Sequence, residues 1–394
     1  MSRTPDAATM PAPLHQLVGR PVAAIDTPAL VIDLDAMERN LARMQDFANA
    51  HQVRLRPHAK MHKCAVLALR QRQAGAVGVC VQKVSEAQVL AQLGVDNIYV
   101  SNQIISLQKC ELLAHISRAL HANNGIISVA VDSILGIERI AQAMRHAGGD
   151  ATIHAFVEID VGQQRCGVAA GEAAVPLVRA IAAHSNVHFA GLQAYNGRAQ
   201  HVRSHQARCE IMQRVVADVR QTIVAIEAAG FDVPLVTGAG TGTFMHEAVS
   251  GVFGELQAGS YLFMDADYAA NEADPTQPHF EHALFVKAQV MSCSVLSSQE
   301  RAVVDAGHKS YAIDSGLPTV WSGHGTDWKI SGCSDEHGTL LGTHLPVLGD
   351  TVWLIPGHCD PTVNLHDSMV GVRGGLLHGV VEEILRVDAR GALF

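Results

Sequence analysis

The sequence has no Cys-x-x-Cys pair, no apolar run of membrane-spanning length and no excess of positive charge. Its eight cysteines, Cys64, Cys80, Cys110, Cys166, Cys209, Cys293, Cys333 and Cys359, are scattered over 394 residues. That scatter fits reduced, mostly buried thiols rather than a disulfide framework. A formal net charge of -9 argues against nucleic-acid binding. The missing apolar run argues against a membrane partner. The stretch from Met1 to Pro13 is Ala/Pro-rich and lacks the basic-then-apolar order of a signal peptide. It reads as a frayed tail on a cytoplasmic protein. Also absent is an early G-x-G-x-x-G after the first strand, the fingerprint of a doubly wound dinucleotide-binding sheet.

The chain is long enough for two domains. Short β-rich runs recur at Val53–Leu55, Gly78–Val81, Asn97–Val100, Ile126–Val131, Ile153–Ile159, Val187–Ala194, Pro234–Val236 and Glu255–Phe263. Helical patterns fill most intervals, the longest from Gln206 to Ala229 with Ile211, Val215, Val219, Ile223 and Ile226 at helical spacing. Strand–helix alternation repeated eight times predicts a (β/α)8 TIM-type barrel over 36–265. The earlier strand Ala29–Asp33 falls outside that count. After Asp265 strands follow one another without helices, which predicts a mostly antiparallel β-domain over 266–394. Residues 1–35 would join it, so that both chain ends build it. Asn271 to His279 reads as a linker.

Barrel chemistry sits at the carboxyl ends of the strands. Pro57 stops the first strand, and Lys60 follows just beyond it. A partly buried amine there can form a Schiff base; taken alone, it reads rather as an ordinary surface lysine. The other strand ends carry Gln82, Tyr195 and Tyr261 among further polar groups. After strand seven, Gly240, Thr241 and Gly242 offer backbone N–H groups and a hydroxyl to an anion; a plain glycine turn is the alternative. A lysine at strand one with a phosphate loop at strand seven points to pyridoxal 5'-phosphate. Arg165 can face the pyridine nitrogen without protonating it, or pair structurally with Asp160. His201, expected to open the long helix after strand six, is either a general base or an exposed histidine. His358 and Asp360, two apart in what reads as extended chain, suit Mn²⁺ or Mg²⁺, with zinc through His358 and Cys359 as the runner-up; for a bare His-x-Asp a polar turn is the usual explanation.

Taken together, these segments resemble the D-threonine aldolase and 3-hydroxy-D-aspartate aldolase family, alanine-racemase-like pyridoxal-phosphate proteins. The resemblance rests on Arg56-Pro57-His58-Ala59-Lys60 with Lys63, Gln82-Lys83-Val84-Ser85-Glu86-Ala87, Glu158-Ile159-Asp160-Val161-Gly162, Gly191-Leu192-Gln193-Ala194-Tyr195, Glu255-Leu256-Gln257-Ala258-Gly259-Ser260-Tyr261 and His358-Cys359-Asp360-Pro361-Thr362. It implies Lys60 as the Schiff-base lysine and Arg165 at the ring nitrogen. It implies Tyr195, Gly240, Thr241, Gly242 and Tyr261 as cofactor contacts, His358 and Asp360 as metal ligands, and His201 as base. Ala239 stands where glycine is expected. The implied substrate is a β-hydroxy-D-amino acid, cleaved to glycine and an aldehyde by a homodimer. A dehydratase giving a keto acid and ammonia is the nearest rival. A non-catalytic pyridoxal-phosphate carrier would resemble the barrel alone.

Overall fold

The computed structural model describes residues 12–274, 276–296 and 299–394, so the tail up to residue 11 lies outside the described residues. The described chain forms two compact units. One holds Leu41–Tyr261, Ala270–His279 and Gly391–Phe394; the other holds the chain up to Asn40, Leu262–Ala269 and Phe280–Arg390.

The first unit is built on eight parallel strands: Arg54–Leu55, Val79–Val81, Asn97–Val100, Ile126–Val131, Ile153–Asp160, Val187–Ala194, Val236–Gly238 and Glu255–Leu256. Strands two to eight each pair with the next in chain order, and strand eight pairs with strand one. The ring closes between strands one and two through Val77 N–H to Leu55 O (2.8 Å), Cys80 N–H to Pro57 O (2.8 Å) and a bridge between His58 and Cys80. The expected TIM-type barrel is therefore present. Its helices match the periodic segments closely; the longest is His205–Ala228, with its apolar side on Met212, Val215, Val219 and Ile226. A short strand Val168–Ala169, absent from the sequence reading, pairs beside strand five.

Polar side chains cross the barrel interior as a hydrogen-bonded network, in which Glu255 Oε2 has no hydrogen-bond partner among the described residues but lies 3.6 Å from Arg54 Nε. Arg56 meets Glu255 at 3.0 Å with both nearly inaccessible. Thr237 Oγ1 donates to Glu255 (2.9 Å), Gln257 Nε2 donates to Thr237 (2.8 Å) and to Gln193 (2.7 Å), and Tyr99 OH donates to Gln193 (3.0 Å). Gln193 thus serves this layer. Strand six carries a bulge, since Ala155 and Phe156 pair with Phe189 and Gly191 and skip Ala190. Gly191 has φ +135°, and a Cβ there would lie 1.8 Å from Leu235 O. Gly191→Ala should therefore cost roughly 3 kcal/mol, read as a lower urea midpoint.

The second unit is a largely antiparallel sheet in the order Lys329–Cys333, Gly338–Leu341, Gln299–Val304, Leu284–Leu296, Ala29–Asp33, Ser368–Arg373, Val380–Arg386. Thr351–Ile355 also pairs with Leu284–Leu296. The early strand is interior: it runs antiparallel to Leu284–Leu296 and parallel to Ser368–Arg373. Leu30, Val31 and Ile32 are buried accordingly, as a strand covered on both faces requires. One expectation fails here. The strands are interrupted by a short helix, Cys359–Val363. Among the described residues no helix is long and apolar enough to cross a membrane.

Candidate functional site

In the barrel unit, strand one gives way to a 3-10 turn, Ala59–Met61, capped by His58. Lys60 sits in that turn and is half-buried. Its N–H donates to His58 Nδ1 at 3.4 Å. His58 is buried, with Nε2 3.0 Å from Gln82 Nε2 and 3.2 Å from Ser101 Oγ. Burial, then the charges of Lys60, His62 and Arg165, hold His58 well below its ordinary pKa. The imidazole is therefore neutral, and Lys60 and Arg165 both act on it electrostatically. His58 and Ser101 are residues that strand-end inspection missed; the Pro-His beside Lys60 was the available signal. Lys63 is engaged elsewhere, 3.3 Å from Glu86 with both side chains buried.

Arg165 lies in the loop after strand five, and its guanidinium carbon is 5.7 Å from the Tyr195 ring centroid, within cation–π range. Asp160 does not hold it. That carboxylate accepts the N–H groups of Gly162 and Gln164, each at 2.9 Å. Beneath them, Glu158 accepts from Gln103, and burial raises its pKa. The structure thus brings Lys60, Gln82, Arg165 and Tyr195 to the same end of the barrel.

The loop after strand seven lies close against Gln200. A Cβ on Gly240 would fall 2.4 Å from Gln200 Oε1, and one on Gly242 2.6 Å from Gln200 O. Gly242 N–H donates to Gln200 Oε1 at 2.9 Å. The glycines therefore have a packing role as well as any role toward an anion. Thr241 Oγ1 accepts from Tyr261 N–H at 3.0 Å, which ties the loops after strands seven and eight. Tyr261 is fully buried, and its hydroxyl accepts from Gln71 at 3.4 Å. Ala239 has φ +73°, a backbone that glycine adopts more cheaply. His201 is exposed and ends the 3-10 turn Arg198–His201. It does not open the long helix, whose N-cap is Ser204.

The second unit carries the His358–Asp360 pair. His358 is the extended N-cap of the helix Cys359–Val363, and Asp360 is in its first turn, so the extended-chain geometry expected for the pair is replaced by a cap. The two still face each other, with His358 Nε2 3.8 Å from Asp360 Oδ1. His358 Nδ1 lies 2.7 Å from Asp314 Oδ2. Burial disfavours the charged ring, but Asp360, Asp314 and Asp265 outweigh it and raise the pKa of His358. Asp314 was not singled out as a site residue; it lies 44 positions away in sequence. Cys359 turns away: its thiol donates to Met264 O at 3.4 Å, and burial keeps it protonated. That orientation lends no support to zinc through His358 and Cys359. Among the described residues no group of three or more His, Cys, Asp or Glu is arranged to hold a metal.

Comparison with known proteins gives a consistent picture. A family model for the alanine racemase N-terminal domain matches residues 32–267, and one for a serine dehydratase domain matches 283–372. The chain is 42% identical to a D-threonine aldolase from Arthrobacter sp, over 95% of each chain. It is 42% identical to a 3-hydroxy-D-aspartate aldolase from Paracoccus denitrificans (strain Pd 1222), also over 95% of each. Among solved structures, D-threonine aldolase from Filomicrobium marinum superposes with a TM-score of 0.89 at 47% identity, covering 96% of this chain and 99% of that one. D-threo-3-hydroxyaspartate dehydratase from Delftia sp. HT23 is more distant, with a TM-score of 0.79 at 26% identity, covering 93% and 98%.

Proposed function

Because the chain belongs to the D-threonine aldolase and 3-hydroxy-D-aspartate aldolase family of lyases, we propose that it cleaves β-hydroxy-D-α-amino acids to glycine and an aldehyde. The observation that supports the site assignment is the gathering at the strand ends of Lys60, whose backbone N–H meets the buried His58 at 3.4 Å, and Arg165, whose guanidinium lies 5.7 Å from the Tyr195 ring centroid. A lysine amine, an arginine and a glycine-containing loop fit a phosphorylated, aldehyde-bearing cofactor. Lys60 would hold pyridoxal 5'-phosphate by its amine. Arg165 would face the pyridine nitrogen, Tyr195, Tyr261 and Gln82 would line the ring, and Gly240, Thr241 and Gly242 would meet the phosphate. Bound there, the cofactor supplies an electron sink for the bond that breaks.

A guanidinium would donate a hydrogen bond to a ring nitrogen without protonating it. That weakens the sink and leaves more for the hydroxyl end to do. His358 and Asp360 would hold a divalent ion. The donor set fits: Nε2 is turned to Asp360 while Nδ1 is oriented by Asp314, the carboxylate–histidine arrangement of metal sites. Two protein ligands leave positions for water and substrate, which suits Mn²⁺ or Mg²⁺, and the ion would supply Lewis acidity. His201, or a bound water, would take the β-hydroxyl proton. Release of that proton lets the Cα–Cβ bond open to an aldehyde, and protonation at Cα gives glycine.

A homodimer and a cytoplasmic setting belong to the same proposal. Family resemblance supports the first, and eight free cysteines support the second. Asp360, where a cysteine would suit zinc, favours aldol cleavage over dehydration. Holoprotein with manganese should release glycine from D-threonine, none from L-threonine, and none after chelation. Absence of glycine from both D-threonine and 3-hydroxy-D-aspartate would overturn the proposal.

A further inference from the structure

Behind the strand-seven loop lies a buried acid that the cleavage chemistry does not use. Glu247 sits in the helix Phe244–Ala248 and is 1% exposed. Its Oε1 accepts from Thr243 Oγ1 at 2.8 Å, while Oε2 has no hydrogen-bond partner among the described residues. Thr243 Oγ1 in turn accepts from Gln200 Nε2 at 2.9 Å, and Gln200 Oε1 accepts from Gly242 N–H at 2.9 Å. Gln200 and Thr243 are each 1% exposed. The hydrogen bonds thus run in one direction, from the loop backbone through Gln200 and Thr243 to the carboxyl group. Gln200 Nε2 also donates to Asn196 O (3.1 Å), which anchors the chain to the loop after strand six.

We propose that Gln200, Thr243 and Glu247 are positioning residues for the cofactor phosphate, and that the loop binds the phosphate with Glu247 in its neutral form. The premise is that this loop is the phosphate site. A buried carboxylate with one unpaired oxygen is costly to ionise, whereas the neutral acid is not. A negative charge on Glu247 would also repel a phosphate dianion across a medium that screens poorly. Burial, partly offset by Thr243, raises the pKa of Glu247 to about 7. No charged neighbour contributes to that shift. His246 on the same helix stacks on His205 of the long helix, where Arg208 donates to Val202 O and Arg220 to Ser250 O. Glu255 on strand eight is held by Arg56, and His51, on the side of Phe47, packs on Phe47. Glu247 is thus neutral below about pH 7 and ionised above it, so phosphate affinity should fall as pH rises.

Apoprotein and its Glu247→Gln variant would be titrated with pyridoxal phosphate and with pyridoxal, which lacks the phosphate, at about pH 6 and about pH 8.5. The two proteins should bind pyridoxal phosphate alike at the lower pH. At the higher pH the unsubstituted protein should bind about tenfold more weakly than the variant. Pyridoxal should show no such difference. Equal pyridoxal phosphate affinities at both pH values, or the same difference with pyridoxal, would overturn the role of Glu247. As a second arm, Thr243→Val should weaken pyridoxal phosphate binding about tenfold at the lower pH while Thr243→Ser preserves it. Equal binding by those two variants would overturn the chain. If the unsubstituted protein prefers pyridoxal phosphate no more than pyridoxal, the phosphate-loop assignment itself fails.

Discussion

Lys60→Ala should lose the visible absorbance of lysine-bound cofactor and lower cleavage activity by at least about 10⁴-fold. The neighbouring Lys63 is engaged elsewhere. Lys63 is paired with Glu86 at 3.3 Å, and that carboxylate also accepts the N–H groups of Gln82 and Lys83. Lys60 instead occupies a turn directly after strand one, with His58 beside it held neutral by burial and by nearby cations. Lys60→Arg keeps the charge but lacks a nucleophilic amine, so it should fail equally. Absorbance spectra before and after borohydride reduction check both variants. A retained, reducible chromophore in Lys60→Ala would move the anchor to another lysine.

Asp360→Ala should raise the metal concentration needed for half-maximal activity by about 100-fold or more. The substitution removes one of the two proposed ligands, and a single histidine is a weak divalent site. Asp314→Asn should have a smaller effect, about tenfold, because Asp314 would act through His358, whose Nδ1 it meets at 2.7 Å. Titrating chelated protein with manganese separates the two variants. Unchanged metal dependence in Asp360→Ala would remove that residue from the metal site.

Much of the barrel is legible in the chain. Val79–Val81, Asn97–Val100 and Ile126–Val131 are short runs of β-branched and apolar residues, buried on both faces, and polar residues follow directly at their carboxyl ends. Lys60, Gln82, Arg165 and Tyr195 could be found because the fold places strand ends together. Gln200, Glu247 and Asp314 could not. Their meaning depends on partners 42, 4 and 44 positions away whose orientation no local pattern specifies. Glu247 is near Thr243 in sequence, yet only the helix turn reveals that its carboxyl faces inward. His201 was misplaced relative to the long helix because Ser204, a better N-cap, lies three residues later and accepts from Ala207 N–H. The His358–Asp360 spacing was informative although its geometry was not: a helix cap, rather than a strand, brings the two groups to 3.8 Å.

Product stoichiometry from 3-hydroxy-D-aspartate tests the central claim most directly. Metal-loaded holoprotein should form glycine and glyoxylate in equal amounts, with no ammonia. Ammonia and a keto acid in equal amounts, without glycine, would contradict aldol cleavage and make the chain a dehydratase.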